Sequence, residues 1–353
     1  MSKKQKSVNT ALPEGKYYLG VLWAFVILLL VPWYTPWSPP DFVLSSTSGS
    51  VVFFTNLFYP WWHALVFALA GIGVHHSFTR RGLGEFAKER TRQLLVPTLF
   101  GLIFIVPAHR YFAALNLNGM ADYFYYFSHL VGYGFDYPLS QFTFPLFIYP
   151  MTMLLAPLAS HLQRRAKENP RRASFAGKIP WPLLYLFCIV PLAVFNLVKI
   201  EAVSMGEYPV YFLLGYFLLA DEGVMEKLVK YRFLSLGIFA AAFILAHFGP
   251  AALRGGALPL LGWFACMAFL GLARRYLNSG GSKILRYLSK SSFAVFLFFN
   301  VYIAISTFLF AKMTDNSSLL ALFTMLSTFA LTFLTYELLK RFRVTRFMFG
   351  LRR

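Results

Sequence analysis

Apolar runs of roughly 17 to 22 residues recur along the whole chain, and each is long enough as a helix to cross a hydrocarbon core. Backbone groups inside lipid must be hydrogen-bonded within the chain, so these runs are predicted to be helices. The alternating pattern typical of barrel strands is absent. Ten spans are predicted, at residues 17–33, 57–76, 94–115, 142–162, 180–199, 208–221, 233–249, 257–273, 291–311 and 318–339.

Composition agrees with an all-α, polytopic integral membrane protein. Hydrophobic residues make up 58% of the 353 residues and charged residues 13%, whereas a soluble domain has about 25% charged residues. We therefore expect a cytoplasmic tail at 1–16, one membrane domain at 17–340 and a basic cytoplasmic tail at 341–353. The segments 34–56 and 110–141 are predicted to be loops on the outer side.

The net charge of +19 would suit a nucleic-acid partner, but its distribution indicates topology instead. If the N-terminus is cytoplasmic, all 33 basic residues fall on cytoplasmic segments except Arg110, Lys199, Arg254 and Lys312. This alternation is the positive-inside rule. It places both termini in the cytoplasm, favours a bacterial inner (cytoplasmic) membrane and makes membrane lipids, not nucleic acid, the expected partner.

Several segments resemble the acyltransferase-3 superfamily of membrane O-acyltransferases, especially its glucan succinyltransferase-like branch. The similar segments are GEFAKERTRQLLVPTLFGLIFIVPAHRYF (84–112), PVYFLLGYFLLADEGVMEKLVKYRFLSL (209–236), LARRYLNSGGSKILRYLSKSSFAVFLF (272–298) and TYELLKRF (335–342). The resemblance implies a membrane enzyme that moves an acyl group from a cytoplasmic thioester such as acyl-CoA to an extracytoplasmic glycan or lipid.

The residues that carry the family's chemistry are missing at the matching positions. Trp23 stands where the family has an arginine in its first span, and Tyr34 where it has the histidine taken to be catalytic. Gln141–Phe144 replaces an outer-loop His-Leu-Trp-Phe motif, Phe299 replaces a histidine of the ninth span, and Gly20 stands where an aspartate is common. Acyl transfer to a hydroxyl needs a general base, and Phe and Trp cannot take a proton.

Three histidines are weak candidates for a relocated base. His63 is predicted near the outer end of the second span, where it could act as a base, ligate a metal or tetrapyrrole, or cap a neighbouring helix. His75 and His76 are predicted at the cytoplasmic end of that span, where they could contact an acyl donor or simply bond headgroups and loop backbone. No metal site is predicted, because Cys188 and Cys266 both fall inside apolar spans.

Other polar residues have competing interpretations. Arg90 and Arg92 could attract the phosphates of a donor or lipid, or could act only as topology charges. Lys199, Glu201 and Glu207 are interpreted as a solvated ion-pair cluster on an outer turn. Asn196 and Asn300, predicted inside the membrane, need partners and are interpreted as interhelical contacts.

Two functions remain open. The first is a catalytically degenerate member of the family, kept as a structural or accessory subunit of a membrane complex with other membrane proteins or a hydrophobic pigment. The second is an active O-acyltransferase that uses His63, His75 or His76 in place of the missing base. Small-residue faces at Ala64, Ala68, Gly71 and at Gly237, Ala240, Ala241 could pack inside the bundle or against a partner.

Overall fold

The protein is helical almost throughout. A computed structural model describes residues 16–35, 49–78, 82–118, 122–124, 140–168, 176–194, 199–200, 203–204, 206–278, 282–314 and 316–351. Most of the predicted outer loops 34–56 and 110–141 lies outside the described residues, as do Asn196, Glu201 and the side chain of Lys199.

Sixteen α-helices are labelled in chain order within this described part. They are α1 (Tyr17–Leu28), α2 (Leu30–Tyr34), α3 (Gly49–Phe78), α4 (Leu83–Arg90), α5 (Val96–Phe100), α6 (Val106–Asn118), α7 (Thr143–Glu168), α8 (Trp181–Leu186), α9 (Ile189–Val194), α10 (Glu207–Leu214), α11 (Glu222–Lys230), α12 (Arg232–Phe248), α13 (Ala251–Tyr276), α14 (Lys283–Phe310), α15 (Ser317–Leu339) and α16 (Arg343–Met348). Three π-helical segments continue them at Thr91–Leu95, Gly101–Ile105 and Gly215–Leu219. A two-residue hairpin pairs β1 (Lys199–Ile200) with β2 (Val203–Ser204).

The prediction of a helical membrane protein is confirmed at this level. Every one of the ten predicted ranges overlaps a helix. Among the described residues, six helices are long and apolar enough to cross a membrane: Tyr17–Tyr34, Leu83–Asn116, Phe144–Arg165, Gly256–Tyr276, Lys283–Phe310 and Ser317–Leu339. A seventh crossing results if α11 and α12, which meet at 71°, count as one span.

The helices form two groups that share α1. The helix α3 packs against α10, α13 and the π-helical segment after α10, whereas α14 packs against α6 and α15; α1 contacts both α13 and α14. Glycines allow α3 and α10 to touch backbone to backbone. A Cβ on Gly71 would lie 2.0 Å from the carbonyl oxygen of Phe212, and one on Gly215 would lie 2.2 Å from that of Ala68.

Four regions differ from the expectation. Residues 49–56 and 110–118, predicted as parts of outer loops, belong to α3 and α6. The range 180–199 contains two short helices, α8 and α9, instead of one long span. The segment expected as a loop before the seventh span forms the helix α11, because the Asp221 side chain accepts hydrogen bonds from the backbone N–H groups of Gly223 (2.8 Å) and Val224 (3.3 Å). Such an N-cap satisfies donors that the first helical turn leaves free.

Candidate functional site

Two of the positions aligned with family histidines in the sequence analysis, Tyr34 and Phe299, lie close together. The rings of Tyr34 and Phe299 meet edge to face with their centroids 5.2 Å apart. Trp33 contacts Tyr34 at 5.3 Å. Phe299 is fully buried, so this part of the interior is filled by aromatic rings.

The segment 141–144, aligned with the family's outer-loop motif, packs in the same part of the interior. Phe144 at its end contacts Trp23 at 5.8 Å, together with Phe67 and Phe296. The ring of Phe142 lies against Gly101 so tightly that a Cβ on that glycine would come within 2.2 Å of it. These contacts leave the aligned positions packed against one another.

The side-chain amides of Gln141 and Asn300 form a hydrogen bond beside this cluster. Asn300 Nδ2 donates to Gln141 Oε1 at 2.6 Å, and Gln141 Nε2 donates to the carbonyl oxygen of Leu297 at 3.1 Å. Both amides are buried. The expectation that Asn300 makes an interhelical contact is therefore confirmed, and its partner is one of the residues that replace the motif.

His63 lies in an aromatic cage beside the same cluster. Its ring stacks on Tyr208 with a centroid distance of 5.2 Å and meets Trp62 (5.1 Å) and Trp33 (5.9 Å) edge to face. Because Trp33 also contacts Tyr34, His63 is one ring away from the position matched to the catalytic histidine. We call these residues, His63 with Trp33, Trp62 and Tyr208, the histidine cage.

His75 and His76 lie in the last turn of α3, whereas His63 lies in the middle of this helix and not near its outer end, because α3 begins at Gly49. The Lys16 ammonium lies 3.1 Å from His76 Nε2. An ammonium only donates hydrogen bonds, so this ring nitrogen accepts and is occupied. His75 packs edge to face against His76 and Tyr216, and its Nδ1 is buried with no hydrogen-bond partner among the described residues.

Glu222 connects this end of α3 to two other helices. It accepts from the guanidinium of Arg274 and lies 3.9 Å from Lys16 Nζ. The hydrogen bond from Arg274 holds the pKa of the Glu222 carboxyl below its ordinary value. Lys16, Glu222 and Arg274 thus tie together the starts of α1 and α11 and the last turn of α13, a network that sequence reasoning missed.

Arg90 and Arg92 lie against different elements and do not converge. Arg90 Nη2 donates to the carbonyl oxygen of Gly73 (3.2 Å) and to Ser77 Oγ (2.9 Å), at the end of α3. Cations commonly stabilise the free carbonyl groups at a helix C-terminus. The guanidinium of Arg92 lies over the Phe347 ring of α16.

Glu207 is a correction to the sequence analysis. It was expected in a solvated ion-pair cluster, but it begins α10 and is only 7% exposed. The helix places it beside Tyr208 of the histidine cage. In the described part of the chain, no group of three or more His, Cys, Asp and Glu side chains could hold a metal ion.

The chemistry available in the cluster is packing and neutral hydrogen bonding. Aromatic rings and two amides joined by a hydrogen bond occupy the matched positions, and the imidazole of His63 is separated from Tyr34 by the Trp33 ring. Searches against protein-family models, curated proteins and solved structures found no match to the chain.

Proposed function

We propose that this chain is a catalytically degenerate, acyltransferase-3-like protein that acts as a structural or accessory subunit of a membrane complex. In this proposal it crosses a bacterial inner membrane ten times, with residues 17–340 as the membrane domain and both termini in the cytoplasm. It contacts membrane lipids and other membrane-protein subunits.

One observation carries the proposal. Tyr34 and Phe299, at positions matched to family histidines, are in ring contact, and Trp23, at the position matched to the arginine, packs against Phe144. A hydroxyl acceptor needs a group that can take its proton, which Trp and Phe cannot do, and a tyrosine hydroxyl ordinarily titrates near 10. The contact between Tyr34 and Phe299 favours a fold shared with the acyltransferase-3 superfamily. The aromatic residues at these positions favour a loss of catalytic activity.

An exposed face on α12 supports the subunit role. Gly237, Ala240 and Ala241 are exposed, and a Cβ on Gly237 would meet nothing within 4 Å. Faces of small residues let membrane helices approach closely, and association in lipid depends on such packing. The other small-residue face, at Gly71, is already used by α10 inside the bundle.

Mild-detergent purification from native membranes, followed by mass spectrometry, tests this role. We expect the wild-type chain to co-purify with another membrane protein at a constant molar ratio. The Gly237→Leu variant should co-purify with much less of that protein, because leucine prevents close approach of the two helices. Gly256→Leu is the matched control, since Gly256 of α13 is exposed and has equally open space. A chain recovered only as a free monomer that consumes acyl-CoA would contradict the proposal.

A second candidate function, an active O-acyltransferase, is favoured by the position of His63 one ring from Tyr34. If His63 is the base, His63→Ala should lower glycan acylation by more than about 100-fold. His247→Ala is the control, because that ring bonds the carbonyl oxygen of Phe243 on α12, away from the histidine cage. Acylation absent from the wild type, or unaffected by His63→Ala, would reject this alternative.

A further inference from the structure

An open groove lies where α13 ends against the corner between α11 and α12. It has a volume of about 380 Å³ and is lined by Val229, Arg274, Arg275 and Asn278. The groove belongs to neither the aromatic cluster nor the histidine cage.

Positive charge is in excess at this groove. Arg274 is paired with Glu222, the carboxylate that also approaches Lys16. Arg275 is exposed and makes no hydrogen bond or ion pair with any residue that the structure describes. A free guanidinium beside a paired one favours an anion, and the planar fork of arginine suits the oxygens of a phosphate.

Two polar atoms around the groove are buried without partners among the described residues: Asn278 Oδ1 and Arg232 Nε. Arg232 adjoins the groove because its Nη1 donates to the carbonyl oxygen of Val229 at 2.6 Å. Last-turn arginines would balance the dipole of α13 wherever they pointed, but that role leaves the exposed guanidinium of Arg275 without a partner among the described residues. Both buried atoms are enclosed, so a ligand in the groove meets the guanidinium of Arg275 first, and a hydroxyl group of the ligand meets the Asn278 amide when that side chain turns toward the groove.

The surroundings of the groove suit a lipid. The helix α13 contains a candidate membrane span that ends at Tyr276, so the groove lies where headgroups are expected. Phe233 and Tyr276, whose rings flank the Arg232 guanidinium, are 58% and 55% exposed. We propose that the groove lined by Val229, Arg274, Arg275 and Asn278 binds the phosphate and hydroxyl groups of an acidic phosphoglycerol headgroup, with the lipid chains lying along Phe233 and Tyr276.

Lipid retention by the purified full-length protein tests the proposal. Native mass spectrometry after titration with phosphatidylglycerol should show one tightly retained lipid, and phosphatidylcholine at the same concentration should not replace it. Arg275→Gln should weaken retention about tenfold, the effect of one lost charged hydrogen bond. Asn278→Leu should weaken retention of phosphatidylglycerol more than that of phosphatidic acid, which lacks the glycerol hydroxyl groups.

Arg343→Gln is the control, because it removes the same charge from an exposed position on α16. Equal retention by Arg275→Gln and Arg343→Gln, or equal retention of phosphatidylcholine, would overturn the proposal. If millimolar glycerol 1-phosphate displaced the lipid, the groove would be a site for a soluble phosphate compound, and the proposal that it binds a lipid would be rejected. None of these results depends on whether the chain is catalytically degenerate.

Discussion

At the scale of single residues, the interior around Tyr34 and Phe299 is built from aromatic rings and neutral amides. Asn300 supplies the donor for Gln141 Oε1 at a depth where an unpaired polar group is costly. The same cluster contains Phe299, the neighbour of Asn300 on α14, against Tyr34. A site of this composition can hold helices together without any proton transfer.

Removing both amides should therefore cost less than the two single removals added together. Asn300→Leu leaves Gln141 Oε1 buried without its donor and should lower the free energy of unfolding by about 1–3 kcal/mol. The double variant Gln141→Leu/Asn300→Leu should lose less than the sum of the two single changes. Thermal unfolding in detergent measures both effects, and strictly additive losses would show that the two amides do not depend on each other.

At the scale of helices, close backbone contact distinguishes two faces that look alike in sequence. Gly71 and Gly237 each belong to a set of small residues three or four positions apart. Gly71 meets the backbone of Phe212 and Tyr216, whereas Gly237 has open space. A one-dimensional pattern identifies a face that can pack closely, but it does not say which neighbour packs there.

Alanine at these two positions should have very different effects on stability. Gly71→Ala forces α3 away from α10 and should lower the free energy of unfolding by about 1–3 kcal/mol. Gly237→Ala has open space and should instead raise the free energy of unfolding by about 0.5–1 kcal/mol, because alanine favours a helix more than glycine does. Unfolding in mixed detergent micelles would measure the pair, and similar values for both would contradict the close contact between α3 and α10.

Sequence reasoning located the helices better than their ends and contacts. Each of the ten ranges predicted from apolar length overlaps a helix, and six helices of the described residues are long and apolar enough to cross a membrane. The helix α11 was missed because its apolar positions are few, although Asp221 ahead of Glu222 and Gly223 is a recognisable N-cap signal. The histidine cage could not be predicted, since it joins α2, α3 and α10 across large separations in the chain.

At the scale of the whole molecule, topology is the main prediction that remains. Basic residues concentrate on one set of segments, and the polar network of Lys16, Glu222 and Arg274 gathers three of those segments at one end of the bundle. This gathering agrees with the charge asymmetry of the sequence. Membrane-spanning proteins keep such asymmetry because cationic loops are retained in the cytoplasm.

Site-directed labelling should report this arrangement directly. Tags at Met1 and Arg353 should be accessible only from the cytoplasm. A cysteine introduced at Ser46, in a variant with Cys188 and Cys266 replaced by alanine, should react with an impermeant maleimide from the outer side. Reaction of that cysteine from the cytoplasmic side alone would reverse the whole assignment.

The packing of α1 has a consequence for how the protein is made. This helix is synthesised long before α13 and α14, against which it packs, and Lys16 lies near Glu222, more than two hundred residues later in the chain. During synthesis α1 is inserted in the bilayer before α13 and α14, its main packing partners, are translated. Contacts so distant in sequence form slowly. The nascent chain therefore passes through a long interval in which the face of α1 that packs on α13 and α14 has no partner, and truncation before α13 would leave that face uncovered.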